Sequence, residues 1–104
     1  MNNNINIRDY VKKDISILRG RDKGEIARRQ ARLNDLDQTD EEITVIFDND
    51  FKSLNTSFFL GMFEDSIKHF KRDKFRIKYN FKCKDSFSKK IDVCIDSVMK
   101  KLEN

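Results

Sequence analysis

The chain has 104 residues, 38% of them hydrophobic and 38% charged, and its 22 Lys and Arg against 18 Asp and Glu leave a formal net charge of +4. That length makes one domain, and no apolar run approaches the roughly 20 residues that a membrane-spanning helix needs. Nine Phe and many Ile, gathered in periodic segments, supply the burial that a disordered chain lacks.

From the start, Ile5 and Ile7, then Ile15 and Ile17, show period-two spacing on either side of Lys12-Lys13-Asp14. This predicts two short strands or a loose hairpin, over 5–11 and 15–19. Ile26, Leu33 and Leu36 with Ala27 and Ala31 predict a first helix over 23–36, with Asp22 able to cap it. The β-branched run Ile43-Thr44-Val45-Ile46-Phe47, ended by Asp48-Asn49-Asp50, predicts a central strand over 43–48. Phe59, Phe63, Ile67 and Phe70 form an apolar stripe behind the capping residues Asn55, Thr56 and Ser57, which predicts a helix over 57–71. Residues 75–84 alternate without a break and predict a strand with Arg76, Lys78, Asn80, Lys82 and Lys84 on one side. Phe87, Ile91, Cys94, Ile95, Val98 and Leu102 predict a closing helix over 86–102.

With no Pro, three Gly and no low-complexity linker, nothing divides the chain, so a single domain over 1–104 is expected. The order β-β-α-β-α-β-α implies an α/β fold with a mostly parallel sheet and right-handed crossovers. The polar side of 75–84 implies that one sheet face is open, with helices packed mainly on the other.

Catalytic signatures are missing: there is one His, no GxSxG, no Gly-rich phosphate loop and no paired Cys motif. His69 lies one residue off the apolar stripe, without a partner at metal-ligand spacing. Cys83 and Cys94 read as free, buried thiols. Together with an opening Met1-Asn2-Asn3-Asn4 unlike a signal peptide, they suggest a reducing cytosol. Asp48, Asp50, Glu64 and Asp65 read as turn and helix-surface acids rather than a Mg²⁺ site. A non-enzymatic chain without metal or cofactor is expected. The richness in Lys, Asn and Ile, whose codons are AT-rich, hints at a bacterium or its phage.

Residues 68–90 hold ten Lys or Arg against two Asp. Arg76, Lys78, Lys82 and Lys84 on the predicted sheet face, and Arg19, Arg21 and Arg28 around the first helix, offer anion or nucleic-acid contacts. The aromatics of 75–84 alternate to the opposite side, whereas single-strand platforms keep aromatics and cations on one surface. A solvated, solubilising face is therefore the preferred reading.

The strand ending in Asp48, followed by Leu54-Asn55-Thr56-Ser57-Phe58 and an amphipathic helix, resembles the strand, loop and helix of the STAS domain of anti-sigma factor antagonists. In that family the loop reads Asp-Ser-Ser/Thr-Gly. Phe58 in place of the Gly, together with Arg19-Gly20-Arg21 before the first helix, makes the chain more similar to the STAS-like family of unknown function. The resemblance spans roughly residues 15–102. It implies a protein-binding regulatory domain acting through loop 49–57 and the start of the next helix, with Asn55, Thr56, Ser57 and Phe58 at the contact. It also implies a phosphorylatable hydroxyl and a partner of the kinase-like ATPase or anti-sigma type. The alternative from the basic face is a phage or bacterial-defence accessory or inhibitor that binds nucleic acid or a nucleoprotein complex.

Overall fold

The computed structural model describes residues 3–103. Met1, Asn2 and Asn104, included in the expected domain 1–104, lie outside the described residues. Strands β1 (Asn3–Asn6), β3 (Ile43–Ile46) and β5 (Tyr79–Lys82) form a parallel sheet in the order β1-β3-β5, while β2 (Ile17–Leu18) and β4 (Ser53–Leu54) pair in parallel as a second sheet. Between them run α1 (Arg21–Gln30), the short α2 (Leu33–Leu36) and α3 (Thr56–Lys78), and α4 (Asp85–Glu103) ends the chain. This is a single α/β domain with helices packed against parallel sheets.

Register explains which sheet face is covered. Ile5, Val45 and Phe81 stand side by side, as do Ile43 and Tyr79. Phe59 and Phe63 of α3 meet that face, with ring centroids 5.6 and 5.3 Å from Phe81, and Phe63 lies 5.5 Å from Tyr79. The opposite rows, Asn4-Thr44-Asn80 and Asn6-Ile46-Lys82, are exposed or half-buried. Helix α3 packs against both α1 and α4, and its Phe63 and Ile67 are fully buried, as the stripe predicts.

Helices α1 and α3 approach unusually closely. A Cβ on Gly24 would sit 2.1 Å from the Phe58 carbonyl oxygen, and one on Gly61 would sit 2.2 Å from that of Arg21. Only glycine lets two backbones come so near. Deeper in the same interface, the Arg28 guanidinium donates to Asn34 Oδ1 (2.8 and 3.0 Å), Asp37 Oδ2 (2.9 Å), the Met62 carbonyl (2.8 Å) and Ser66 Oγ (2.9 Å). Ser66 Oγ donates to Asp37 Oδ2 at 2.6 Å, and the Tyr79 hydroxyl donates to Asp37 Oδ1. All four ionisable or hydroxyl side chains of this network are buried.

Several boundaries differ from the expected ones. The hairpin of 5–11 and 15–19 does not form, because β1 pairs with β3 and β2 with β4. The first strand stops at Asn6, whose side chain accepts the Arg8 N–H (3.2 Å) and turns the chain into a 3₁₀ turn, Ile7–Tyr10. The helix of 23–36 is interrupted at Arg32 (φ 58), which lets Leu33 enter the core and delivers Asn34 and Asp37 to Arg28. The helix of 57–71 breaks at Lys71 (φ 65) but continues to Lys78, so the strand of 75–84 shrinks to Tyr79–Lys82. The reason lies in two residues. Phe75 packs edge-on to Phe63 at 6.0 Å. The buried Lys78 ammonium donates to the Thr39 carbonyl (2.6 Å), Thr39 Oγ1 (3.0 Å) and the Glu41 carbonyl (2.8 Å). One more helical turn satisfies both, and leaves Ile77 65% exposed.

Candidate functional site

Two strand-to-helix junctions lie side by side, β2 into α1 and β4 into α3. The Ser16 carbonyl accepts the N–H groups of Lys52 (2.7 Å) and Ser53 (3.3 Å), and the Leu18 carbonyl accepts that of Asn55 (2.8 Å). Gly20 is the N-cap of α1 at φ 96, where a side chain is strained, and Asn55 is the N-cap of α3. Neither side-chain capping by Asp22 nor by Asn55 occurs. Ser57 Oγ instead accepts the Gly20 N–H at 3.2 Å, so the hydroxyl joins the two helix starts rather than capping its own. Asn55 and Thr56 are exposed, Ser57 is half-buried, and Phe58 is 1% exposed. Phe58 is thus anchored in the core, at the inner end of the junction.

Beside these junctions runs a cleft of about 400 Å³ between the 3₁₀ turn, β2 and α1. Its walls include Tyr10, Val11, Ile15, Ile17 and Ile26, with Phe58 also in its lining. Ile17 and Ile26 are 46% and 40% exposed, an unusual state for two large aliphatic side chains in one concavity. Lys12, Arg19 and Lys23 stand around it with one acid, Asp9.

The basic sheet face is not assembled. Because residues 75–78 are helical, Arg76 and Lys78 do not share a strand with Lys82 and Lys84. Arg76 pairs with Asp92, Lys78 is buried on backbone carbonyls, and Lys84 Nζ donates to the Phe51 carbonyl at 2.6 Å. Arg21 pairs with Glu64 at 2.8 Å, and Arg28 is locked in the buried network. Of the seven expected anion contacts, Arg19 and Lys82 are exposed and form no ion pair among the described residues.

Of the four acids Asp48, Asp50, Glu64 and Asp65, Asp48 and Glu64 are held in ion pairs. Arg8 grips Asp48 through two bonds of 3.0 and 3.2 Å, lies 3.8 Å above the Phe51 ring, and holds the Asp48 carboxyl below its ordinary pKa. At Glu64, burial raises the pKa, but hydrogen bonds from Arg21 and Lys68 outweigh it and the net shift is downward. Burial pushes the Cys94 thiol up to about 11 and raises that of half-buried Cys83. His69 is exposed, with its ring edge-on to Phe70. Among the described residues no three His, Cys, Asp or Glu are grouped as metal ligands would be, and no helix is long and apolar enough to cross a membrane.

Sequence reasoning missed the cleft and the network of Arg28, Asp37, Ser66 and Tyr79. One signal for the network was present: Ser66 sits on the apolar stripe of α3, seven residues after Phe59, and a buried hydroxyl needs a partner. Comparison with known proteins adds no relative: no family model matches the chain, and searches of the curated proteins and of the solved structures gave no match.

Proposed function

We propose that this chain is a non-enzymatic, protein-binding regulatory domain of STAS-like type, whose contact surface is the paired starts of α1 and α3 and the cleft beside them. One observation carries the reading: Ser57 Oγ bonds the Gly20 N–H across the two junctions, so chemistry at one exposed helix start bears on the other. A phosphoryl group on Ser57 brings about −1.5 to −2 charges. That charge would stand at the contact itself, where a packed interface repels or desolvates it, while the N-terminal end of α3 tolerates it. A partner of the kinase-like ATPase or anti-sigma type is the one the resemblance implies, since such a partner both modifies and binds its target.

The test uses the full chain in its native cell, with a photo-crosslinking residue replacing exposed Thr56 and, as control, exposed Lys89 on α4. A discrete cross-linked protein from position 56 alone, lost on Ser57→Asp and retained on Ser57→Ala, is the expected result. Ser57→Ala should cost about 1 kcal/mol through the missing bond to Gly20. Identical products from both positions, or none from position 56, would overturn the reading.

A further inference from the structure

We infer that the cleft beside β2 takes an extended, acidic segment of a protein partner, which adds a strand to the free edge of β2 and seats apolar side chains against Ile17 and Ile26. This rests on the protein-binding reading above and adds to it a place and a chemistry of contact.

The edge comes first. In the β2–β4 ladder the carbonyls of Ser16 and Leu18 face β4 and accept its N–H groups. Alternate residues of a strand turn their N–H and C=O to opposite edges, so the N–H and C=O of Ile17 and the N–H of Arg19 point away from β4. Among the described residues they meet no backbone partner. The cleft takes its lining from Ile17 and Leu18 of β2 and from Arg19 after them, and none from β4. Solvent-facing edges are normally blunted by charge or covered. This one instead carries Ile17 and faces Ile26 across the concavity.

Charge selects the occupant. Lys12, Arg19 and Lys23 border the cleft against the single acid Asp9, and none of the three cations forms an ion pair among the described residues. A strand adding to an edge gains affinity from main-chain bonds and specificity from its alternate side chains. Apolar residues on one side and Asp or Glu toward the cationic rim match this site on both counts.

The experiment selects a phage-displayed library of random linear peptides against the intact chain and measures the enriched sequences as synthetic peptides. Expected are sequences alternating apolar and acidic residues, whose affinity falls at least about tenfold on Ile26→Asp and on the double change Arg19→Glu, Lys23→Glu. On peptide binding, the amide signals of Ile17 and Arg19 should shift and gain protection from exchange. Circular dichroism checks that each variant folds. Peptides without acidic bias, peptides that bind the variants equally well, no enrichment at all, or a cleft filled by a second copy of the chain in sedimentation would each overturn the inference. A cross-link from position 56 that survives Ile26→Asp would overturn this inference while leaving the binding-domain reading standing. No cross-link from position 56 of the unaltered chain, with alternating apolar and acidic peptides still binding in the cleft, would instead overturn the proposed contact at the helix starts and leave the cleft inference standing.

Discussion

On one side of α1, Gly24, Ala27 and Arg28 are sealed against α3 and the loop that follows α2. On the other, Lys23, Ile26 and Gln30 line an open cleft. Both sides come from the same ten residues, yet the sealed side buries an arginine and a glycine while the open side exposes the isoleucine. Ranking α1 by side-chain hydrophobicity would place Ile26 inside and Arg28 outside, the reverse of what is found. What seals a face here is backbone proximity and a satisfied guanidinium; what leaves a face open is the lack of an opposing helix. A helix of this kind has one side set by stability and another free to serve recognition.

The sharpest way to break the comparison is Arg28→Ala. It leaves Asp37 buried with Ser66 and Tyr79 but without its cation, and should cost about 3–5 kcal/mol in urea unfolding. Arg28→Lys should not rescue it, because one ammonium cannot reach the acceptors that the planar fork spans. If Arg28→Ala unfolds with the wild type, the sealed face owes nothing to its ion pair. Gly24→Ala comes next, at about 2–3 kcal/mol from overpacking against the Phe58 carbonyl, measured the same way; a neutral effect would mean that the helices can part without cost.

A smaller effect concerns pH at the border between the two faces, where Arg21 reaches Glu64. The folded-state pKa of Glu64 is depressed. Its contribution is therefore present above the ordinary carboxylate pKa and is lost as pH falls below about 4, through the folded value. Thermal melts in acid should accordingly show a shallower pH dependence for Glu64→Gln than for the wild type; parallel curves would remove Glu64 from the acid response. The smallest effect belongs to the open face. Ile26→Ala should change stability by no more than about 0.5 kcal/mol, and a larger loss in urea unfolding would make the cleft wall part of the core.

The α/β class, the parallel sheet and its one open face were legible because they depend on period: Phe59, Phe63 and Ile67 at helical spacing, Tyr79 and Phe81 alternating with Asn80 and Lys82. The closing helix was legible for the same reason. Period misled at 75–78, where Phe75 and Tyr79 satisfy both a strand and a helical turn, and only the carbonyls waiting for Lys78 decide between them. Asn55, Thr56 and Ser57 were visible as hydroxyl and amide groups at a helix start, but not the direction of the Ser57 bond, because Gly20 comes from a distant segment. The cleft was not legible although residues 9–30 supply all its lining but Phe58, because the way the 3₁₀ turn, β2 and α1 stand around it depends on β2 pairing with the distant β4. The cations of the expected basic face were visible as residues, while their pairing with Asp92, Glu64 and Asp37 depends on the packed helices.

The all-parallel pairing has a kinetic consequence. Each ladder, Ile5 with Val45, Ile43 with Tyr79 and Leu18 with Leu54, joins segments roughly 40 residues apart, and such non-local closure slows folding relative to helical bundles. Helical segments of α1 and α3 can gain local order early, but β2 acquires a registered edge only when β4 has found it. During synthesis the N-terminal third emerges with the rim cations already in place and no cleft between them. The finished cleft is thus a late product of folding, reached only after Leu54 and Phe58 have left the ribosome.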